Sequence, residues 1–238
     1  MISKNEMKMV RSLAQKKFRD ELGLFVVEGE KMVEEALHSD MEVVNVWRTE
    51  EIGEEAMSRI TMLSSPSPAL ALVRKRDGIG DIGALAASRP LMLALDSVRD
   101  PGNLGTIIRL ADWFGIDAVA ASHDTVDFYN PKTVQSTMGA IFRVKFFNCD
   151  LDVLLSSFRE RGMNVYGTFL EGDDIYGAPL DSCGVIVMGS ESNGISPAIA
   201  HHVTQKLFIP PYPADTRGSE SLNVAIATAI TCSEFRRR

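Results

Sequence analysis

Cysteine is scarce and scattered. Cys149, Cys183 and Cys232 are odd in number, far apart and form no CxxC pair, so neither a disulfide framework nor a zinc site is indicated. Histidine is also rare. His38, His123, His201 and His202 show no metal-ligand spacing with a cysteine or carboxylate, so solvated or helix-surface imidazoles and no metal site are expected. No apolar run approaches the length of a membrane span, and the first residues carry no apolar signal-peptide core, so the cytoplasm is the expected location. Aromatics make up only 7%, yet 45% of the 238 residues are hydrophobic, enough for one large domain or two small ones.

Positive charge is in deficit, with 25 Lys and Arg against 32 Asp and Glu and a net charge of −7. The balance argues, weakly, against broad non-specific binding of nucleic acid. Local clusters argue the other way. Lys4, Lys8, Arg11, Lys16, Lys17 and Arg19 face only Glu6 over the first nineteen residues, and Arg74-Lys75-Arg76 and Arg236-Arg237-Arg238 form two further knots. Singly each reads as a solvated face or tail; together they make a polyanionic partner plausible.

Apolar periodicity divides the chain. Residues 1–76 read as a small α/β unit: a basic amphipathic helix over 6–17, strands over 25–27, 43–47 and 69–73, and helices over 31–37 and 50–60. Residues 77–90 read as a Gly-rich linker. They contain a GxGxxG match at 78–83, but a dinucleotide fingerprint needs a strand directly before it and a helix directly after, and here a basic run precedes it. From residue 91 the pattern becomes βα alternation: strands over 91–95, 117–121, 142–147, 164–169, 185–188 and 206–209, with helices over 104–114, 131–138 and 151–161 and a short one near Pro197. Continuous apolar strands fit an open, mostly parallel α/β sheet covered on both faces.

Three segments concentrate polar groups just beyond strand ends, where such sheets place ligand chemistry. In the first, Asp100-Pro101-Gly102-Asn103 turns into a helix that Asn103 is placed to cap, with Leu104, Ile107, Ile108, Ala111 and Phe114 on one stripe and Arg109 pointing away. In the second, a buried strand ends in Gly189-Ser190-Glu191-Ser192-Asn193-Gly194, whose glycines allow a close backbone approach. In the third, Ser219-Glu220-Ser221-Leu222-Asn223 opens the last helix, with Ser219 or Ser221 as its expected cap.

The order and spacing of these segments resemble the SpoU (TrmH-like) branch of the SPOUT RNA methyltransferases. The family's Asn-x-Gly-x-x-x-Arg is similar to Asn103–Arg109, its Gly-x-Glu-x-x-Gly to Gly189–Gly194, and its Ser-Leu-Asn-Val to Ser221–Val224; 131–140 is a looser match. The amino-terminal part looks like an L30e-like substrate-binding domain. The resemblance implies domains at 1–76 and 91–238, a deep trefoil knot at the carboxyl end, a homodimer, and methyl transfer from S-adenosylmethionine to a ribose 2′-hydroxyl of RNA. Ribosomal RNA is the first choice of substrate and transfer RNA the second. It further implies a catalytic set of Asn103, Arg109, Glu191, Ser221 and Asn223, and donor contacts from Thr168, Phe169, Leu170, Gly189, Ser190, Gly194, Ile209 and Leu222. Two other classes compete: a non-catalytic RNA-binding or ribosome-assembly module, and a dehydrogenase suggested only by the glycine motif.

Overall fold

Ser3 opens the first helix with a reciprocal cap. Its hydroxyl accepts the Glu6 N–H at 3.2 Å, and the Glu6 carboxylate accepts the Ser3 N–H at 2.8 Å. In this computed structural model, which describes residues 2–76, 82–213 and 221–237, two units are present. The single helix expected over 6–17 is instead two, α1 (Lys4–Ser12) and α2 (Lys16–Leu22). Arg19 accounts for the break. It is 2% exposed, and its Nη1 donates to the carbonyls of Leu13 (2.8 Å) and Ala14 (2.9 Å), which the break leaves without helical partners.

Then follow β1 (Leu24–Glu28), α3 (Glu30–Leu37), β2 (Val43–Arg48), α4 (Thr49–Ile52), α5 (Glu54–Ile60) and β3 (Ala69–Arg74). The helix expected over 50–60 is split at Gly53. The three strands form an antiparallel sheet in the order β1-β3-β2. Val10, Leu13, Trp47, Met57, Ile60, Leu70 and Leu72 pack as its core. The basic knot at 74–76 is not a free surface: Arg74 pairs with Glu42 (2.7 Å), Lys75 with Asp20 (2.6 Å) and Arg76 with Asp40.

The second unit contains α6 (Ile82–Ala87), β4 (Leu91–Leu95), α7 (Pro101–Trp113) and β5 (Ala118–Ala121). Asp127–Arg143, with α8 (Pro131–Ser136), groups by contact with the amino-terminal unit, although the sequence division leaves it in the second domain. A 3-10 turn at Ala140–Phe142 stands where a strand was expected to begin. The second unit resumes with β6 (Phe146–Asn148), α9 (Leu151–Glu160), β7 (Val165–Asp174), β8 (Gly184–Met188), α10 (Pro197–Ala200), β9 (Gln205–Phe208) and α11 (Val224–Arg237). Helix α6 falls inside the stretch read as linker. It forms because Ile82, Leu85 and Ala86 pack on the same apolar cluster as Leu154, Leu155 and Phe158 of α9. Residues 77–81, which hold most of the glycine motif, lie outside the described residues.

The six strands run β6-β5-β4-β8-β7-β9, and every pairing is parallel. All strand carboxyl ends therefore open on one edge. The knot expected at the carboxyl end involves the connection from β9 to α11, of which 214–220 lie outside the described residues. Arg236 and Arg237 are not a free tail: Arg236 donates to the carbonyls of Phe114 (2.8 Å) and Gly115, and Arg237 pairs with Glu234 (2.7 Å), while Arg238 lies outside the described residues. A cation on the last carbonyls of α7 suits that end of the helix dipole.

The partner of Arg19 is Asp127, bonded to Nε at 2.9 Å and to Nη2 at 2.7 Å. Asp127→Ala leaves the guanidinium buried and unpaired, so it lowers the stability of the amino-terminal unit by about 3–5 kcal/mol in urea unfolding followed by circular dichroism.

Candidate functional site

The central pair β4 and β8 is in register from Leu91↔Gly184 to Leu95↔Met188. One residue further along, each strand turns into a polar loop. Asp96 follows β4 and is 4% exposed. Its Oδ2 accepts the Ser196 N–H at 2.7 Å, across 100 residues of chain. That bond anchors the far end of the 189–196 loop to the neighbouring strand. Sequence reasoning passed over Asp96, although a carboxylate ending an all-apolar strand was a usable signal.

The 189–196 loop is tightly wound. Ser190 and Gly194 exchange both backbone hydrogen bonds at 3.0 Å, and Gly194 has φ 65. A Cβ on Gly189 would stand 2.1 Å from the carbonyl carbon of Gly194, so only glycine fits there. The loop presents Glu191 as an exposed carboxylate.

Glu191 meets the first segment through Asn103, but not as the sequence suggested. The cap of α7 is Asp100, whose carboxylate accepts the Asn103 N–H at 2.8 Å, with Pro101 in the first turn. Relieved of capping, the Asn103 side chain donates from Nδ2 to Glu191 Oε1 at 2.7 Å. Its Oδ1 accepts from Asn223 Nδ2 at 3.0 Å. Asn223, rather than a serine, caps α11, with Oδ1 accepting the N–H groups of Ala225 (3.0 Å) and Ile226 (3.3 Å). Ser219 lies outside the described residues. The cap fixes which end of the Asn223 amide faces outward. That fixes the Asn103 amide, and so delivers an N–H to Glu191.

Ser221 and Leu222 lie immediately before Asn223 and are exposed. Arg109 is not drawn into this chain. It is exposed on α7 and makes no hydrogen bond or ion pair with any described residue. Thr168, Phe169 and Leu170 lie where β7 leaves its ladder with β9, between Thr168 and Asp173. Leu170 is 70% exposed. The Phe169 ring turns back over Gly167, where a Cβ would sit 2.7 Å from it, and packs on the core beneath the Lys206 ammonium. Ile209 follows β9 and is half-buried.

His38, His123 and His201 are exposed, as expected, but His202 is not. His202 is buried, and its Nε2 lies 2.7 Å from Asp152 Oδ1; His201 Nε2 lies 3.8 Å from the same oxygen. The hydrogen bond from His202 holds the Asp152 carboxyl below its usual range. These three residues have the proximity of a metal site. However, His202 Nδ1 is buried without a partner, and a metal on Nε2 would force the ring proton onto that atom with no acceptor. A hydrogen bond between His202 Nε2 and Asp152 Oδ1 accounts for the contact without a metal. Burial raises the Cys149 thiol to about 11 and the Cys232 thiol to about 12, so both stay protonated and unreactive.

A parallel α/β sheet with the Asp96, Gly189 and Asn223 segments gathered at the carboxyl ends of its strands has the form of a ligand-handling domain, and a smaller antiparallel unit accompanies it. Residues 90–233 match the SpoU rRNA Methylase family, and the chain belongs to it; residues 4–71 match an MRM3-like substrate binding domain. The chain is 32% identical, over 95% of its own length and 94% of the relative's, to the 23S rRNA (guanosine(2553)-2′-O)-methyltransferase RlmP of Bacillus subtilis. Among solved structures, a putative RNA methyltransferase of the TrmH family from Porphyromonas gingivalis superposes with a TM-score of 0.86 at 37% identity, covering 100% of this chain and 99% of that one. The AdoMet-bound rRNA methyltransferase of Sinorhizobium meliloti superposes with a TM-score of 0.87 at 30% identity, covering 100% and 97%.

Asn103→Asp sets a carboxylate against Glu191 in place of a donor. The variant loses about 1 kcal/mol or more at pH 7–8. Because a like charge raises the pKa of the introduced carboxyl, the deficit shrinks as pH falls toward about 5. Asn103→Ala shows no such recovery in thermal melts across that range.

Proposed function

We propose that the protein transfers a methyl group from S-adenosylmethionine to a ribose 2′-hydroxyl of ribosomal RNA in the cytoplasm, at a guanosine of 23S rRNA as its relatives' names state. The observation that carries this reading is the Asn223–Asn103–Glu191 chain. It ties the family's three motifs together at one strand edge of a protein that aligns with a 23S rRNA methyltransferase over nearly its whole length.

The loops at that edge suit the donor. Leu170 and Leu222 are exposed apolar side chains, available to an adenine ring and a methionine chain. The backbone of Thr168, Phe169, Gly189, Ser190, Gly194 and Ile209 supplies polar groups beside them. Bound there, S-adenosylmethionine supplies a sulfonium methyl and leaves as a neutral thioether. The protein's task is then to align and activate a weakly nucleophilic hydroxyl. Arg109 is assigned to this. A guanidinium keeps its proton and serves poorly as a base, but it orients the hydroxyl and stabilises developing negative charge together with an RNA phosphate. Glu191, Asn103 and Asn223 hold the loops in register, and Ser221 joins them at the RNA side.

A homodimer is part of this reading. Trp113 is 82% exposed on α7 and Ile226 is 53% exposed on α11, and these two helices pack together. Arg109 lies one helical turn before Trp113. A second copy covering this apolar face brings Arg109 to the seam between protomers, which fits its lack of a hydrogen bond or ion pair among the described residues. The ranges 1–76 and 91–238 remain the proposed domains, with 127–143 added to the first.

Arg109→Lys keeps the charge but loses the fork. It lowers kcat for methyl transfer to unmodified 23S rRNA about 100-fold and leaves RNA affinity within a few fold; near-normal transfer would rule out a specific guanidinium role. Trp113→Glu yields a monomer in light scattering and abolishes transfer. A variant that stays dimeric and active removes this face as the interface.

A further inference from the structure

Much of the positive charge clustered along the chain is neutralised within the fold. Arg19 is held by Asp127, Lys16 by Asp20 at 2.6 Å, and the 74–76 knot by Glu42, Asp20 and Asp40. Helix α1 departs from this. Lys4, Lys8 and Arg11 are all exposed, and Lys4 and Lys8 make no hydrogen bond or ion pair with any described residue. At the helical turn per residue the three stand within about 60° of arc, over a rise of about 10 Å. They form one row, in a unit whose residues 4–71 match a substrate binding domain.

The row opposes the stability of its own helix. Lys4 places a cation in the first turn, at the positive end of the dipole. Lys4 with Lys8, and Lys8 with Arg11, are like charges at the i,i+4 and i,i+3 spacings, where they repel. The one acid of α1, Glu6, is bound to the Ser3 N–H at 2.8 Å. A glutamate in place of either lysine would stabilise the helix. Arg11, in contrast, is fixed in place. Its Nη1 donates to the Thr61 carbonyl, in a turn that Glu28 holds by accepting the Thr61 hydroxyl at 2.5 Å and the Met62 N–H at 2.7 Å. Glu28 is itself 5% exposed and presents no acid at the surface.

A row of cations matches an anion that repeats. A lipid surface is a poor match, because a basic amphipathic helix binds it through an exposed apolar side. On α1 that side is already in use: Val10 and Leu13 are fully buried, and Met7 and Met9 pack on the same core. The row therefore offers charge without free apolar surface, which suits a sugar-phosphate backbone in water. Two lysines act there as point charges, and the arginine fork takes a phosphate in paired bonds. Each phosphate neutralised releases counterions, which gives such a contact a salt dependence of known size.

We propose that Lys4, Lys8 and Arg11 on α1 form a phosphate-backbone contact through which the amino-terminal unit holds RNA, setting affinity rather than the choice of sequence. The inference rests on the reading of RNA as the substrate. The test uses the full-length protein and unmodified 23S rRNA transcribed in vitro, measuring Kd by filter binding over a range of salt, KM for S-adenosylmethionine and Tm. Lys4→Gln/Lys8→Gln raises Kd about tenfold at about 100 mM salt and makes log Kd less steep in log salt by about 2. It leaves KM for S-adenosylmethionine within about twofold and does not lower Tm, since two repelling charges are gone. Lys16→Gln/Lys31→Gln removes the same net charge from positions beside acids, Asp20 for one and Glu34 and Glu35 for the other, and leaves the slope unchanged. An unchanged slope in Lys4→Gln/Lys8→Gln, an equal drop in Lys16→Gln/Lys31→Gln, or a loss of affinity that arrives with a lower Tm overturns the proposal. So does binding of the parent to phosphatidylserine-containing vesicles that Lys4→Gln/Lys8→Gln abolishes. A parent protein that neither binds nor methylates this RNA overturns the functional reading, and this inference falls with it.

Discussion

The in-register parallel pairing of β4 with β8 is the constraint on which the site depends. Leu95 and Met188 face each other on the last rung, so Asp96 and Gly189 begin their loops side by side. Every later contact uses that coincidence. The Asp96 carboxylate reaches Ser196, the loop between Gly189 and Ser196 is pulled tight, and Glu191 is presented to Asn103. A one-residue slip in this ladder would offset Asp96 from Gly189 and separate the loops. Both strands are apolar and buried at every residue, so burial alone does not hold this register, and the polar bonds beyond the strand ends matter to it.

Much of this architecture was legible in the chain. Buried parallel strands announce themselves as unbroken apolar runs, so β4 and β8 stood out, and the polar residues just beyond them followed from the rule for where such sheets bind ligands. Hydrogen-bond assignments were less legible, because several side chains at a helix start can each cap it. Asp100 displaced Asn103, and Asn223 displaced the serines. Asn103, expected to cap, bonds Glu191 instead, while Asn223, not expected to cap, does so.

Long-range ion pairs were not legible at all. Counting local charge made Arg19 and Arg74-Lys75-Arg76 look like surface for a polyanion, whereas Asp127, Glu42, Asp20 and Asp40 neutralise them. The same blindness hid the approach of His202 to Asp152, 50 residues away. It also hid the attachment of Asp127–Arg143 to a unit that ends, along the chain, fifty residues before it. Pairings of this kind are made by topology, and periodicity carries no trace of them.

Helices α7 and α11 are bonded at both ends: Asn103 to Asn223 where they begin, and the carbonyl of Phe114 to Arg236 where they finish, about 20 Å further along. The pair behaves as a ladder with fixed first and last rungs. Synthesis proceeds from the amino end, and residues 223–236 emerge after everything else at this edge of the sheet. Until they do, Asn103 has no carboxamide to orient it and α7 has no cation at its far end. The order of translation thus imposes a delay on the newborn chain: its sheet can form early, while the polar edge acquires its arrangement only once residues 223–236 have been made and have packed on α7.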